Sequence, residues 1–138
     1  MSSTVGHDLM NNHPYKNARF EQAQTHMSSL VSALKKGNVE SFIRIVESEA
    51  LSLHAMMMTS NPYFVLMEPQ TLEVIKKVWE YREKTETPVC FTLDAGANVH
   101  LLYPEAEKEK VHAFIENELK GYCEDGFFIH DHCGEGAV

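Results

Sequence analysis

The residue best placed to do chemistry is Asp94, which follows a β-rich run and begins the turn-like segment Asp94–Asn98. A carboxylate at the end of a strand is held on a rigid element, and Gly96 lets a ligand approach the backbone closely. Asp, Gly and Asn are also common turn formers, so an Asx turn without a function is the competing interpretation. A functional Asp94 must face a pocket rather than its own loop.

Histidines near the end of the chain are a second set of candidates. His130 and His132 are two residues apart, so on a strand both imidazoles would point to the same side and could share a metal ion. Cys133 would point away, and His100 on another strand is a conceivable third ligand. Exposed histidines without a metal are the simpler interpretation, and we predict no metal site.

Two motifs on one long predicted helix are interpreted structurally. His54 lies beside Ala50 and Leu53, and we expect a buried or half-buried imidazole that hydrogen-bonds a backbone carbonyl. The methionine run 56–58 is expected to fill gaps in the core or between domains, because methionine adapts to irregular spaces.

Common motifs for nucleotide binding and nucleophilic catalysis are absent from the sequence. There is no GxxxxGK[ST] loop, GxGxxG segment, GxSxG elbow or HExxH helix. The close glycine pair Gly134 and Gly136 encloses Glu135, whose charge would repel a phosphate. The hydroxyls of Ser3 and Thr4 are either phosphate ligands or simply a polar start to the chain. The chain therefore has no nucleotide cradle of its own.

Composition describes one globular domain over residues 1–138, with 43% hydrophobic and 23% charged residues. The net charge of -8 repels phosphate backbones and anionic lipid surfaces, so neither nucleic acid nor a membrane is an expected partner. The odd number of cysteines, three, fits no disulfide framework and indicates a reducing compartment. With no long apolar run and no features of a signal peptide at the start, we expect a cytoplasmic protein.

Hydrophobic spacing and helix end signals predict three helices before residue 88. They cover Tyr15–Lys36, a second segment that starts at Asn38 and ends before Pro62, and a third from Pro69 to about Lys84. Residues on one face of the first helix recur at three- and four-residue steps and are expected to face the core: Phe20, Ala23, Met27, Leu30, Val31 and Leu34.

The second part of the chain predicts strands. Val89–Leu93 and Val99–Tyr103 are β-rich and flank the glycine loop, a fourth helix follows Pro104 and ends at Gly121, and Gly126–His130 is expected to form a last strand. A further strand in the first dozen residues is left open. The predicted fold is an α+β layered domain, with helices on one face of a small, mainly antiparallel sheet.

The segment FTLDAGAN at residues 91–98 resembles the FDAGPN loop of diphosphomevalonate decarboxylases, members of the GHMP kinase superfamily. Four other segments resemble the same family in the same order: Ser3–Gly6 its STVG, Leu53–Ala55 its FHA, Asn61–Phe64 its proline-aromatic loop and Cys133–Gly136 its VGPG. The resemblance covers nearly the whole chain.

The resemblance implies a ferredoxin-like C-terminal domain of a two-domain enzyme. A separate N-terminal domain would hold the ATP-binding glycine-serine loop and a substrate-binding arginine, so this chain alone would be inactive. In the family, ATP with magnesium phosphorylates the tertiary hydroxyl of mevalonate diphosphate, and loss of phosphate and carbon dioxide gives isopentenyl diphosphate. The implied partners are that substrate and the N-terminal domain, with a homodimer left open.

The resemblance also assigns residues. Asp94 matches the catalytic aspartate, Ser3 matches a serine near the substrate diphosphate, and Thr4, Ala95 and Gly96 are assigned to substrate binding beside them. Two departures, Ala97 in place of a proline and the segment His7–His13, leave other substrates open. The alternatives are a decarboxylase or GHMP kinase acting on another hydroxy acid phosphate, and a non-catalytic ligand-binding or dimerisation domain.

Overall fold

The computed structural model describes residues 3–136, apart from the side chain of Ser3. Five α-helices and two β-strands follow each other in the order α1 Ser3–Met10, α2 Lys16–Lys36, α3 Val39–Met58, α4 Pro69–Thr85, β1 Cys90–Leu93, β2 Val99–Leu102 and α5 Lys108–Phe114. A 3-10 turn precedes α5, a π-helical turn over Ile115–Leu119 continues it, and two 3-10 turns follow.

Helix ends lie where local sequence signals place them. Gly37 ends α2 in the left-handed conformation, with φ of 64°, and the side chain of Asn38 accepts a hydrogen bond from the Ser41 amide at the start of α3. Pro69 opens α4, where Glu68 and Thr71 form a reciprocal capping box. The predicted boundaries of these three helices are confirmed to within a few residues.

The sheet is a single antiparallel hairpin, with Leu93 opposite Val99, so that five residues, 94–98, connect the strands. Strand β1 packs against α3 and α4. Its residues Cys90 and Phe91 are fully buried. The core around this strand contains Ala50, Ile75, Val78, Val89, Phe91, Leu93, Val111, Phe114, Ile115 and Leu119. The α+β class, with helices packed on a small antiparallel sheet, is confirmed.

The expectation of a last strand over Gly126–His130 is wrong, because residues 126–130 form no strand. The further strand left open in the first dozen residues is not formed in their described part, where residues 3–10 form α1. The aromatic run near residue 128 has β propensity, but Phe127 and Ile129 are largely exposed, at 72% and 78%, and find no pairing edge in the described part of the chain. Within residues 3–136 the sheet therefore keeps two strands.

The prediction that the apolar face of α2 points into the core is wrong. Four of its six residues, Phe20, Met27, Val31 and Leu34, are between 41% and 62% exposed. Helix α2 packs on α3. Besides the buried Ala33, polar side chains of α2 meet α3: Arg19 and His26 contact Glu49, and Gln22 donates to Ser52.

Polar packing in that interface affects Glu49. Burial by itself would raise the pKa of this carboxyl, but hydrogen bonds and charge from Arg19 and His26 outweigh it and hold the pKa below its usual value. The pairing with Arg19 and His26 therefore favours the carboxylate form of Glu49.

The cysteines are free, as expected, with Cys90 buried and Cys133 exposed. Burial, with a smaller contribution from Glu47, raises the pKa of Cys90 to about 12, so this thiol is chemically inert and belongs to the core. Of the methionine run, Met56 and Met57 are buried and Met58 is 40% exposed, which largely confirms the packing interpretation. No helix in residues 3–136 is both long and apolar enough to cross a membrane.

Candidate active site

Asp94 directs its carboxylate away from its own loop. The side chain is 92% exposed, and Oδ2 lies 3.5 Å from Nε2 of His100 on β2. In an Asx turn begun by Asp94, the Gly96 amide would donate to the carboxylate. Here that amide donates to the backbone carbonyl of Asp94 at 2.8 Å. The turn is therefore made by the backbone, which leaves the carboxylate available to solvent or to a ligand.

Two buried side chains donate hydrogen bonds to backbone carbonyls of the Asp94–Asn98 loop. His54 on α3 is 1% exposed and donates from Nε2 to the Asp94 carbonyl at 2.8 Å. Thr71 on α4 is 3% exposed and donates from its hydroxyl to the Ala97 carbonyl at 2.7 Å. The expectation of a buried histidine bonded to a backbone carbonyl is confirmed, and the carbonyl belongs to the loop that carries Asp94.

Gly96 is not required by the packing of this domain. A Cβ atom built at this position would meet no atom within 4 Å, and its φ lies outside the left-handed region. A glycine with open space beside it is compatible with a ligand or another domain approaching the backbone there. Ala95 is also exposed at this tip of the hairpin.

Ser3 and Thr4 lie on a different element from the Asp94 loop. Both belong to α1; Thr4 is exposed, and the side chain of Ser3 lies outside the described atoms. Beyond α1, the buried ring of His13 anchors the chain to the end of α3, where its Nε2 lies 2.8 Å from the Thr59 hydroxyl. Roles for Ser3 and Thr4 in substrate binding stay predictions.

The structure separates the histidines that were considered as metal ligands. His100 lies beside Asp94, whereas His130 stacks on His112 with ring centroids 3.6 Å apart. Nε2 of His112 also lies 2.9 Å from the Tyr103 hydroxyl. The idea that His100 joins His130 and His132 is wrong. In the described part of the chain, no three His, Cys, Asp or Glu residues are grouped to hold a metal ion.

The stacking of His130 on His112 makes the stability of this region depend on pH. Burial lowers the pKa of His112 from its ordinary 6.5, and the charges of His130 and Lys108 act in the same direction while Glu105 opposes them. The folded state therefore favours the neutral ring. The stabilisation from the neutral His112 ring is present above about pH 6.5 and is lost as the pH falls below that value. Replacing His130 with alanine should raise the pKa of His112, as followed by NMR titration of its ring protons. An unchanged pKa would show that His130 does not act on His112.

Sequence reasoning missed Thr71 and the loop contact of His54. The capping pattern of α4 gives Thr71 a local role, but its bond to Ala97 joins residues 26 positions apart, and His54 and Asp94 are 40 apart. Nothing local in the sequence signals either pair.

Comparison with known proteins gives the family of this chain. The family model for the mevalonate 5-diphosphate decarboxylase C-terminal domain matches residues 1–132. A phosphomevalonate decarboxylase from Haloferax volcanii is 29% identical over 94 residues, which cover 68% of this chain and 29% of that protein.

Solved structures share the fold. A mevalonate diphosphate decarboxylase from Legionella pneumophila is 26% identical with a TM-score of 0.82, over 88% of this chain and 39% of that one. The mevalonate diphosphate decarboxylase from Enterococcus faecalis, in a structure on mevalonate diphosphate mediated ATP binding, is 23% identical with a TM-score of 0.80, over 88% and 38%. The chain thus spans less than two fifths of these relatives. Because the family model matches almost all of it, the chain belongs to the mevalonate 5-diphosphate decarboxylase C-terminal domain family.

Proposed function

We propose that this chain is the C-terminal domain of an ATP-dependent decarboxylase that converts mevalonate diphosphate to isopentenyl diphosphate, with Asp94 as its catalytic carboxylate. The observation that carries the proposal is the exposed Asp94 carboxylate on a loop tied down at both ends, within a chain that matches the family over residues 1–132.

Asp94 has two tasks in this proposal. Within hydrogen-bond reach of the substrate's tertiary hydroxyl, its carboxylate orients that group and accepts its proton as the phosphoryl group is transferred from ATP. When phosphate and carbon dioxide then leave, its negative charge favours the positive charge that develops on the carbon. A fixed backbone matters because both tasks need the carboxylate in one place.

ATP and its magnesium would be bound mainly by residues outside this chain. The net charge of -8, which disfavours a polyphosphate, supports this. Magnesium would neutralise charge on the transferred phosphate. The chain's contribution is then the carboxylate and part of the substrate surface. Gly96, with open space beside it, and the neighbouring Ala95 would let the substrate approach the backbone, and Ser3 and Thr4 would meet its diphosphate.

The test is carbon dioxide and phosphate release by the intact protein that carries this domain, with ATP and either mevalonate diphosphate or mevalonate phosphate. We expect ATP-dependent release of both products with mevalonate diphosphate, and no turnover by residues 1–138 alone. Similarity to a phosphomevalonate decarboxylase favours mevalonate phosphate as the second candidate substrate, and preference for it would replace the first. No product from either substrate would contradict the proposal and favour a non-catalytic ligand-binding domain. Turnover by residues 1–138 alone would contradict the separate ATP site.

A further inference from the structure

We propose that His54 and Thr71 are positioning residues that fix the backbone from which the Asp94 side chain projects, by hydrogen-bonding its loop at both ends. This inference rests on the proposed catalytic role of Asp94 and adds the residues that hold its backbone. Neither side chain is proposed to touch the substrate.

His54 is almost completely buried. A buried imidazole must lose its contacts with water, which costs free energy unless both ring nitrogens find partners. In His54, Nδ1 is buried without a partner, and Nε2 makes one hydrogen bond, to the Asp94 carbonyl. An apolar side chain of similar size would fill the space without an unpaired nitrogen. The bond to the loop is therefore the feature that distinguishes histidine at this position.

That bond acts at the start of the loop. The Asp94 carbonyl oxygen accepts from two donors, the His54 ring and the Gly96 amide, each at 2.8 Å. Because a carbonyl oxygen only accepts, Nε2 of His54 must carry a proton. Two bonds to one oxygen fix the peptide plane that follows Asp94, and with it the position of the residue that carries the carboxylate.

Thr71 acts at the other end of the loop. Its hydroxyl accepts from the Glu68 amide at 3.1 Å as part of the α4 cap, and it donates its proton to the Ala97 carbonyl at 2.7 Å. The loop is thus joined to the first turn of α4 as well as to α3. With both ends tied to buried side chains, the exposed carboxylate is carried by a rigid tip.

Two matched pairs of variants in the intact enzyme test the positioning role of these bonds. His54→Leu removes the donor and keeps the bulk, whereas His54→Gln keeps an N–H donor at comparable reach; Thr71→Val removes the hydroxyl, and Thr71→Ser keeps it. We expect kcat to fall about 10- to 100-fold in His54→Leu and Thr71→Val, the scale of a catalytic group misplaced by about 1 Å. KM for ATP should stay close to wild type, and His54→Gln and Thr71→Ser should recover most of kcat.

A control variant distinguishes a loss of kcat caused by loop position from one caused by lower protein stability. Asn38→Ala removes the side-chain cap of α3 at the exposed end of that helix, a loss of capping comparable to that in Thr71→Val. It should lower the melting temperature and leave kcat unchanged. Equal kcat losses in Asn38→Ala and Thr71→Val would overturn the proposal, and so would folded His54→Leu and Thr71→Val enzymes with wild-type kcat.

NMR on residues 1–138 gives a readout that does not need activity. Amide order parameters of residues 95–98 should be near 0.85, about the value of rigid backbone, in wild type and His54→Gln, and fall below about 0.6 in His54→Leu. Ring nitrogen shifts should show a protonated Nε2 in His54. A loop that stays equally rigid in His54→Leu overturns the positioning role. An inactive wild-type enzyme with this expected loop behaviour instead overturns the proposed function.

Discussion

Replacing Asp94 with asparagine in the intact enzyme is expected to lower kcat by about two to four orders of magnitude, the usual contribution of a positioned general base. Asparagine keeps the shape of the side chain but cannot take up the hydroxyl proton, and it has no charge to oppose a positive centre on the substrate. Because these interactions belong to the transition state, kcat and kcat/KM should fall together. Steady-state release of carbon dioxide is the measurement.

The same substitution should leave the fold intact. The Asp94 side chain is 92% exposed, so asparagine removes no packing, and the contact with His100 at 3.5 Å is also exposed. A matched control is Asp125→Asn, which makes the same chemical change at an exposed turn position where φ is 54°, a conformation that asparagine tolerates. Asp125→Asn should retain full activity. A folded Asp94→Asn enzyme with kcat within about threefold of wild type would exclude Asp94 as the general base.

The parts of the fold that the sequence predicts correctly are those decided locally. Gly37 ends a helix because glycine readily adopts positive φ, and Asn38 begins the next because its side chain accepts from a free amide. Pro69 suits the first turn of α4. The hairpin that presents Asp94 follows in the same way, from two β-rich runs around a short turn.

The errors concern what each element packs against. Periodicity shows that α2 has an apolar face, but it cannot show that Phe20 and Leu34 on that face are exposed in the described part of the chain. The sequence likewise gives no sign that Glu47 is buried, at 8% exposed, because its partners come from other elements. Phe127 and Ile129 have the propensity for a strand, but among residues 3–136 they pair with no strand edge. Burial is decided by long-range contacts that leave no local pattern.

The loop residues of the candidate site can be found from the sequence. The side chains that hydrogen-bond to the loop cannot. Asp94 and Gly96 stand next to each other in a recognisable segment, whereas His54 and Thr71 reach the loop from helices 40 and 26 residues away. The backbone carbonyls of Asp94 and Ala97 accept these bonds, and any residue has such a carbonyl. The hydrogen bonds of His54 and Thr71 to the loop therefore cannot be predicted before the fold is known.

Glu47 on α3 is the centre of a buried polar contact that sequence reasoning missed. Its carboxylate accepts from Trp79 Nε1 at 3.0 Å and from both terminal nitrogens of Arg82 at 2.6 and 3.1 Å. The Phe91 amide on β1 also donates to it, at 3.4 Å. One side chain thus joins α3 to α4 and to the central strand.

Replacing Glu47 with alanine is expected to lower the free energy of unfolding by about 3–5 kcal/mol, because it leaves the partly buried Arg82 guanidinium without its carboxylate partner and the Trp79 indole N–H without its acceptor. Domains of this size are stable by about 5–15 kcal/mol, so this loss is a large fraction of the total. Urea denaturation of residues 1–138 measures the change as a lower midpoint with a similar slope.

Two further variants show whether the loss comes from an unpaired buried charge. Glu80→Ala removes an acid of the same type from an exposed pair with Lys84, and it should change stability little. Replacing both Glu47 and Arg82 with methionine should recover much of the loss, because neither charge is then left alone in the interior. If Glu47→Ala instead unfolds at nearly the wild-type urea concentration, the carboxylate does not join the helices to the strand, and hydrophobic packing around Phe91 must do so.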